Sequence, residues 1–175
     1  MSLRGLTPSL KLMRWKPSDS TGDRWGERLR LQGEQLRAAW ARFLGNVPWV
    51  TMATLTFDPR KRFNVSRETA SRETFRWCGL ASLALRQPLA WVYATERQAS
   101  GRWHTHVLLA DAEPDQCKAP VAIWEARNGL ADVRPVSYSH GALRYIAKEA
   151  AEEGELVLSD TITRYKAFLV SDPQE

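Results

Sequence analysis

The sequence predicts an α+β domain in which one antiparallel sheet carries helices mainly on one face, the split β-α-β plan of ferredoxin-like and RRM-like sandwiches. Three observations predict it. Extended and helical patterns follow one another in the order β, α, β, β, α, β, α. The two adjacent strands are separated by a short segment with hairpin chemistry. A chain of 175 residues, 43% hydrophobic with 8 Trp, is long enough for one well-filled core.

Each element has its own signal. Residues 1–22 are rich in Ser, Pro and basic residues and read as an arm. From Asp23 to Leu44, Trp25, Leu29, Leu36, Trp40 and Phe43 recur at near-helical spacing until Gly45 and Pro48 stop the pattern. Residues 49–57 are β-branched and aromatic and end at Asp58-Pro59, a strand with a sharp exit. Ser66 is placed to cap a helix running to about Leu85, with Phe75, Trp77, Leu80 and Leu83 expected inward. Leu89 to Glu96 and Arg102 to Ala110 read as paired strands. Residues 114–128 look helical, Leu130 to Val136 extended, Ser139 to Glu153 helical up to Gly154, and 155–158 a short strand. The expected organisation is a basic arm and helix over 1–45, a sheet domain over 46–160 and a tail over 161–175.

Composition excludes several classes. A mean hydropathy of -0.42 with 26% charged residues fits neither a disordered chain, a coiled coil nor a membrane protein, and no stretch approaches the roughly 18 apolar residues of a spanning helix. The start has no apolar core of a secretory signal. Cys78 and Cys117 lack the spacing of a disulfide framework or a thiolate zinc site, which suits a reduced, cytoplasmic compartment. The formal net charge is +5, and Met1 to Arg62 holds 12 Lys+Arg against 5 Asp+Glu while the remainder holds 13 against 15. A basic half suggests a polyanionic partner.

The sharpest chemical feature is His104 and His106 around Thr105, because alternate residues of a strand share a face and two imidazoles converge without special loop geometry. A hairpin tip at Ser100 opposes Glu96 to His104 and Ala94 to His106, and on the other face Thr95 to Thr105, Tyr93 to Val107 and Trp91 to Leu109. A shift by one residue buries Glu96 among the aromatics. Two His and a carboxylate with open positions suit a divalent cation, Mn²⁺ or Mg²⁺, with Zn²⁺ chemically allowed. Farther on, Leu143, Ile146, Ala147 and Ala150 form the inward stripe of the last helix, leaving Tyr145 and Lys148 together on its polar side. A phenol with a reference pKa near 10 needs a neighbouring cation and a polarised electrophile to act as a nucleophile. The plainer readings are two surface histidines that happen to alternate and a Tyr packed on a Lys stem.

Taken in order, Thr54, Leu55, Thr56 and Phe57 on a strand, Glu96 with GRWHTHVLL, and Tyr145 with Lys148 in LRYIAKEA resemble the three motifs of the HUH endonuclease superfamily, in particular the rolling-circle replication initiator (Rep) nickases. The resemblance covers roughly Trp49 to Ala151, and Thr105 departs from the bulky residue usual between the histidines. It implies that Glu96, His104 and His106 hold the metal that orients a scissile phosphate of single-stranded DNA. It implies that Tyr145 attacks, leaving a 5′-phosphotyrosine and a free 3′-hydroxyl, with Lys148 stabilising charge and Glu149 a candidate for termination. Arg60, Lys61, Arg62, Arg97 and Arg102 are the candidate DNA contacts. No GxxxxGK[ST] stretch is present, so unwinding is expected to need a host helicase. HUH transposases share the motif order and stand as a neighbouring alternative. A non-catalytic RRM-like single-strand binder is disfavoured, because Glu96, His104 and His106 occupy the face where such modules carry aromatics.

Overall fold

The computed structural model describes residues 34–35, 37–98, 100–136, 146 and 156–165. Residues 37–45 are helical (α1), followed by β1 (Thr51–Phe57), α2 (Arg67–Ala84), β2 (Trp91–Arg97) and β3 (Trp103–Leu109). A 3₁₀ turn, Pro114–Cys117, leads into α3 (Lys118–Arg127), β4 (Gly129–Pro135), β5 (Leu156–Leu158) and a second 3₁₀ segment, Asp160–Tyr165. The strands form one antiparallel sheet in the order β4-β1-β3-β2-β5. Its first four strands, with α2 and α3 as crossovers, are the split β-α-β arrangement expected from the sequence, and β5 extends it beyond β2.

Alternation builds the two faces. β1 alternates strictly between buried and half-buried residues, so Ala53, Leu55 and Phe57 point to one side. They join Trp91, Tyr93, Val107 and Leu109 under Ala70, Trp77, Cys78 and Ala81 of α2 and Trp124 of α3, forming the larger core cluster. α2 starts at Ser66, whose hydroxyl accepts from the Thr69 amide at 3.2 Å. Its inward stripe is Ala70, Glu73, Thr74, Trp77, Cys78 and Ala81, a correction to the expected one: Leu83 is 73% exposed. Once Trp77 points inward, a residue six positions on lies about 240° around the helix and must face out.

The opposite face carries a second cluster of Leu44, Val47, Trp49, Ala90, Val92, Ala94, Leu108, Ala110, Val136, Ile146 and Ile162, with Trp40, Ala41 and Phe43 against it. The end of α1 packs on this face, where Leu44 is 0% exposed. Packing continues past residue 160: Ile162 is buried, the Tyr165 hydroxyl bonds to Asp111, and Arg164 donates to the Pro88 carbonyl at 3.0 Å. The helix expected over 114–128 is divided into the 3₁₀ turn and α3. Of the helix expected over 139–153, only Ile146 falls within the described residues, helical and buried. No described helix is long and apolar enough to cross a membrane.

Candidate metal centre

The β2–β3 hairpin has the predicted register: Glu96 opposes His104, Ala94 opposes His106, and Trp91 opposes Leu109. The turn is closed by Gln98 N–H donating to the Arg102 carbonyl at 2.8 Å, with Gly101 at φ 79, a left-handed conformation open to glycine. On the other side of β3, Thr54 opposes His106 and Thr56 opposes His104. Register thus gathers Thr54, Thr56, Glu96, His104 and His106 on one face, at the end of the sheet where β1 and β2 finish.

Three atoms converge there. His104 Nε2 is 2.7 Å from Glu96 Oε2, His106 Nε2 is 3.7 Å from the same oxygen, and the two Nε2 atoms are 3.1 Å apart. An ion with bonds of about 2.1 Å sets neighbouring ligands about 3 Å apart in octahedral and about 3.4 Å apart in tetrahedral geometry. The observed separations bracket both values, so the donor set fits a divalent cation held on one side with further positions open. Among the described residues this is the one group of His, Cys, Asp or Glu arranged to hold a metal ion. The imidazoles are buried, at 9% side-chain exposure each, while the Glu96 carboxylate is 21% exposed. The centre therefore opens toward solvent on its carboxylate side.

Each ring is also held from behind. His106 Nδ1 lies 3.2 Å from the Thr54 hydroxyl, and His104 Nδ1 lies 2.6 Å from the Gln98 side-chain amide. Burial pushes the His106 imidazole down to about 4; the neighbouring His104 acts in the same direction and Glu96 opposes it. At neutral pH the ring is uncharged and keeps a lone pair for a cation. Thr105, between the two histidines, points to the helix-covered face, is 0% exposed, and its hydroxyl lies 3.3 Å from that of Thr95. The cross-strand hydroxyl pair satisfies polar groups that would otherwise be orphaned in the core.

Compared with family models, curated proteins and solved structures, the chain matches none.

The remaining candidates divide. Tyr145, Lys148 and Glu149 lie outside the described residues. Arg60 pairs with Asp58 at 2.8 Å, an interaction that holds the Asp58 carboxyl down to about 2. Lys61 donates to the Glu125 carbonyl, and Arg62 donates to Asn128 at 3.0 Å, so both tie the loop after β1 to the end of α3. That loop is pinned further by Gly129, at which a Cβ would stand 2.2 Å from the Thr56 carbonyl oxygen. Arg97 falls in the helix-side register, its Nε donating to Gly101 at 3.2 Å, and Arg102 is exposed beside the turn. Thr54 and Gln98 are the polar partners for which sequence reasoning assigned no role. Gln98 follows Glu96 by two positions on the same face, a diagonal neighbour of His104, and this spacing was the available signal.

Proposed function

We propose that this chain is a metal-dependent single-stranded DNA nickase and ligase of the HUH type, initiating rolling-circle replication of a plasmid or phage. The observation that carries the reading is the convergence of Glu96 Oε2 and the Nε2 atoms of His104 and His106 within 4.8 Å of one another on one sheet face. Ile146, next to Tyr145 in the chain, is buried in the core cluster on that same sheet face.

In this reading Glu96, His104 and His106 hold the cation. Bound Mn²⁺ or Mg²⁺ supplies Lewis-acid polarisation of a non-bridging phosphoryl oxygen. The Tyr145 oxygen attacks the phosphorus in line with the 3′-oxygen; the Tyr–O–P bond forms as the P–O3′ bond breaks, and the phenolic proton ends on the departing 3′-hydroxyl. One ester is exchanged for another, so the reverse step reseals the strand without an energy source. The Lys148 ammonium, three residues after Tyr145 in the chain, is the group that would favour the phenolate. Arg60 and Arg102, exposed cations at the site end of the sheet, meet phosphates of the unpaired strand, whose opening falls to a host helicase.

The test is adduct formation on single-stranded oligonucleotides carrying candidate origin sequences. With Mn²⁺ the protein should give a complex that survives SDS, absent in chelator and absent for Tyr145→Phe. Cleavage that persists in Tyr145→Phe without an adduct would instead assign a hydrolase using activated water, and binding without cleavage a non-catalytic single-strand module.

A further inference from the structure

We infer that Thr54 and Gln98 are positioning residues that present the Nε2 atoms of His106 and His104 to a single cation. The inference rests on reading the Glu96, His104 and His106 cluster as a metal centre. An imidazole can offer Nε2 to an ion only if its proton resides on Nδ1, and that proton then needs an acceptor. Both Nδ1 atoms have a polar partner at hydrogen-bond distance, the Thr54 hydroxyl at 3.2 Å and the Gln98 amide at 2.6 Å. Neither partner is accidental in position, because Thr54 is the direct register partner of His106 on β1, and Gln98 directly follows β2 and is fixed by its backbone bond to Arg102 across the turn.

The two partners can each serve more than one state. A hydroxyl donates or accepts by rotation, and a carboxamide presents its oxygen or its nitrogen after a half-turn. On this reading, with no cation the His104 proton sits on Nε2, which faces Glu96 across 2.7 Å, and the Gln98 amide nitrogen, 2.6 Å from Nδ1, donates to it. When a cation takes the place of the Nε2 proton, His104 carries its proton on Nδ1 and Gln98 accepts it through Oε1. Gln98 thus lets one histidine alternate between closing the empty centre and ligating the filled one, without moving the strand.

The experiment is Mn²⁺ titration of the full chain and of Thr54→Val, Thr54→Ser, Gln98→Met and Gln98→Asn, with thermal melting in chelator as the check on folding. Thr54→Val and Gln98→Met should each weaken binding by about tenfold to a hundredfold, and Thr54→Ser should restore it. The unaltered chain gives a second readout: ¹⁵N correlation spectra should place the His104 proton on Nε2 without metal and on Nδ1 with Zn²⁺. Wild-type binding unchanged in Thr54→Val and Gln98→Met, or a His104 proton that stays on one nitrogen throughout, overturns the positioning role and leaves the metal centre standing. A wild-type chain that binds neither ion overturns the metal centre itself, and the positioning role with it.

Discussion

On the helix-covered face of β3, Thr105, Val107 and Leu109 are 0% exposed; on the opposite face Leu108 is also 0% exposed, while His104 and His106 each stand at 7%. The two sides are almost equally dry and differ in what the dryness does. Under α2 and α3 it yields stability through apolar contact with Trp77, Tyr93 and Trp124. On the other face the apolar cluster formed by Val92, Ala94 and Leu108 stops where two imidazoles and a carboxylate begin. Burying such groups costs free energy unless each nitrogen is partnered. Glu96, Gln98 and Thr54 partner the rings, which is the investment expected of a site rather than of a core.

The strongest way to break this comparison is to make the two faces alike. His106→Leu continues the apolar surface of Leu108, so Mn²⁺ binding and the SDS-stable adduct should fall below detection. The melting temperature in chelator should hold or rise by a few degrees, since a buried polar ring is removed. Retained binding together with lower stability would contradict the division. The reciprocal change is Trp77→Ala on the helix side, where the side chain is 1% exposed. It should cost about 3–5 kcal/mol of unfolding free energy in denaturant titrations, with the folded fraction still binding Mn²⁺ at wild-type affinity.

A smaller effect sharpens the contrast through pH. In metal-free protein His106 takes its proton at about 4, against an ordinary value of 6.5, lowered by burial and by the neighbouring His104 and opposed by Glu96. Between those values the unfolded chain binds the extra proton. The contribution is therefore complete above 6.5 and is lost as the pH falls toward about 4, by roughly 3 kcal/mol at the limit. His106→Leu should flatten that part of the stability profile; an unchanged profile would remove His106 as its cause. Smallest of all, Leu83→Ser on the outward side of α2 should change stability by no more than about 0.5 kcal/mol, and a larger loss would show that this position is covered.

Legibility in the sequence followed the range of the interactions. The hairpin register could be read because a tip at Ser100 sets Glu96 opposite His104, whereas a shift by one residue would put Glu96 among the aromatics. Ser66 was readable as a cap because capping is local. The pairing of Thr54 with His106 was not readable, since these residues are 52 positions apart and their register is set by packing between distant segments. The phase of α2 misled for a related reason: Leu80 and Leu83 look inward by composition, yet Ala70, Thr74 and Ala81 are the small residues that let Trp77 seat against the sheet. The packing of α1 and of 160–165 on the site face was equally hidden, because it depends on which surface the first four strands leave uncovered.

The central claim is that one carboxylate and two imidazoles share a cation, and diffraction from Mn²⁺-soaked crystals tests it most directly. The account predicts an anomalous peak within about 2.0–2.4 Å of Glu96 Oε2 and of both Nε2 atoms. A fully soaked crystal with no peak there, or with Mn²⁺ bound only elsewhere, contradicts it.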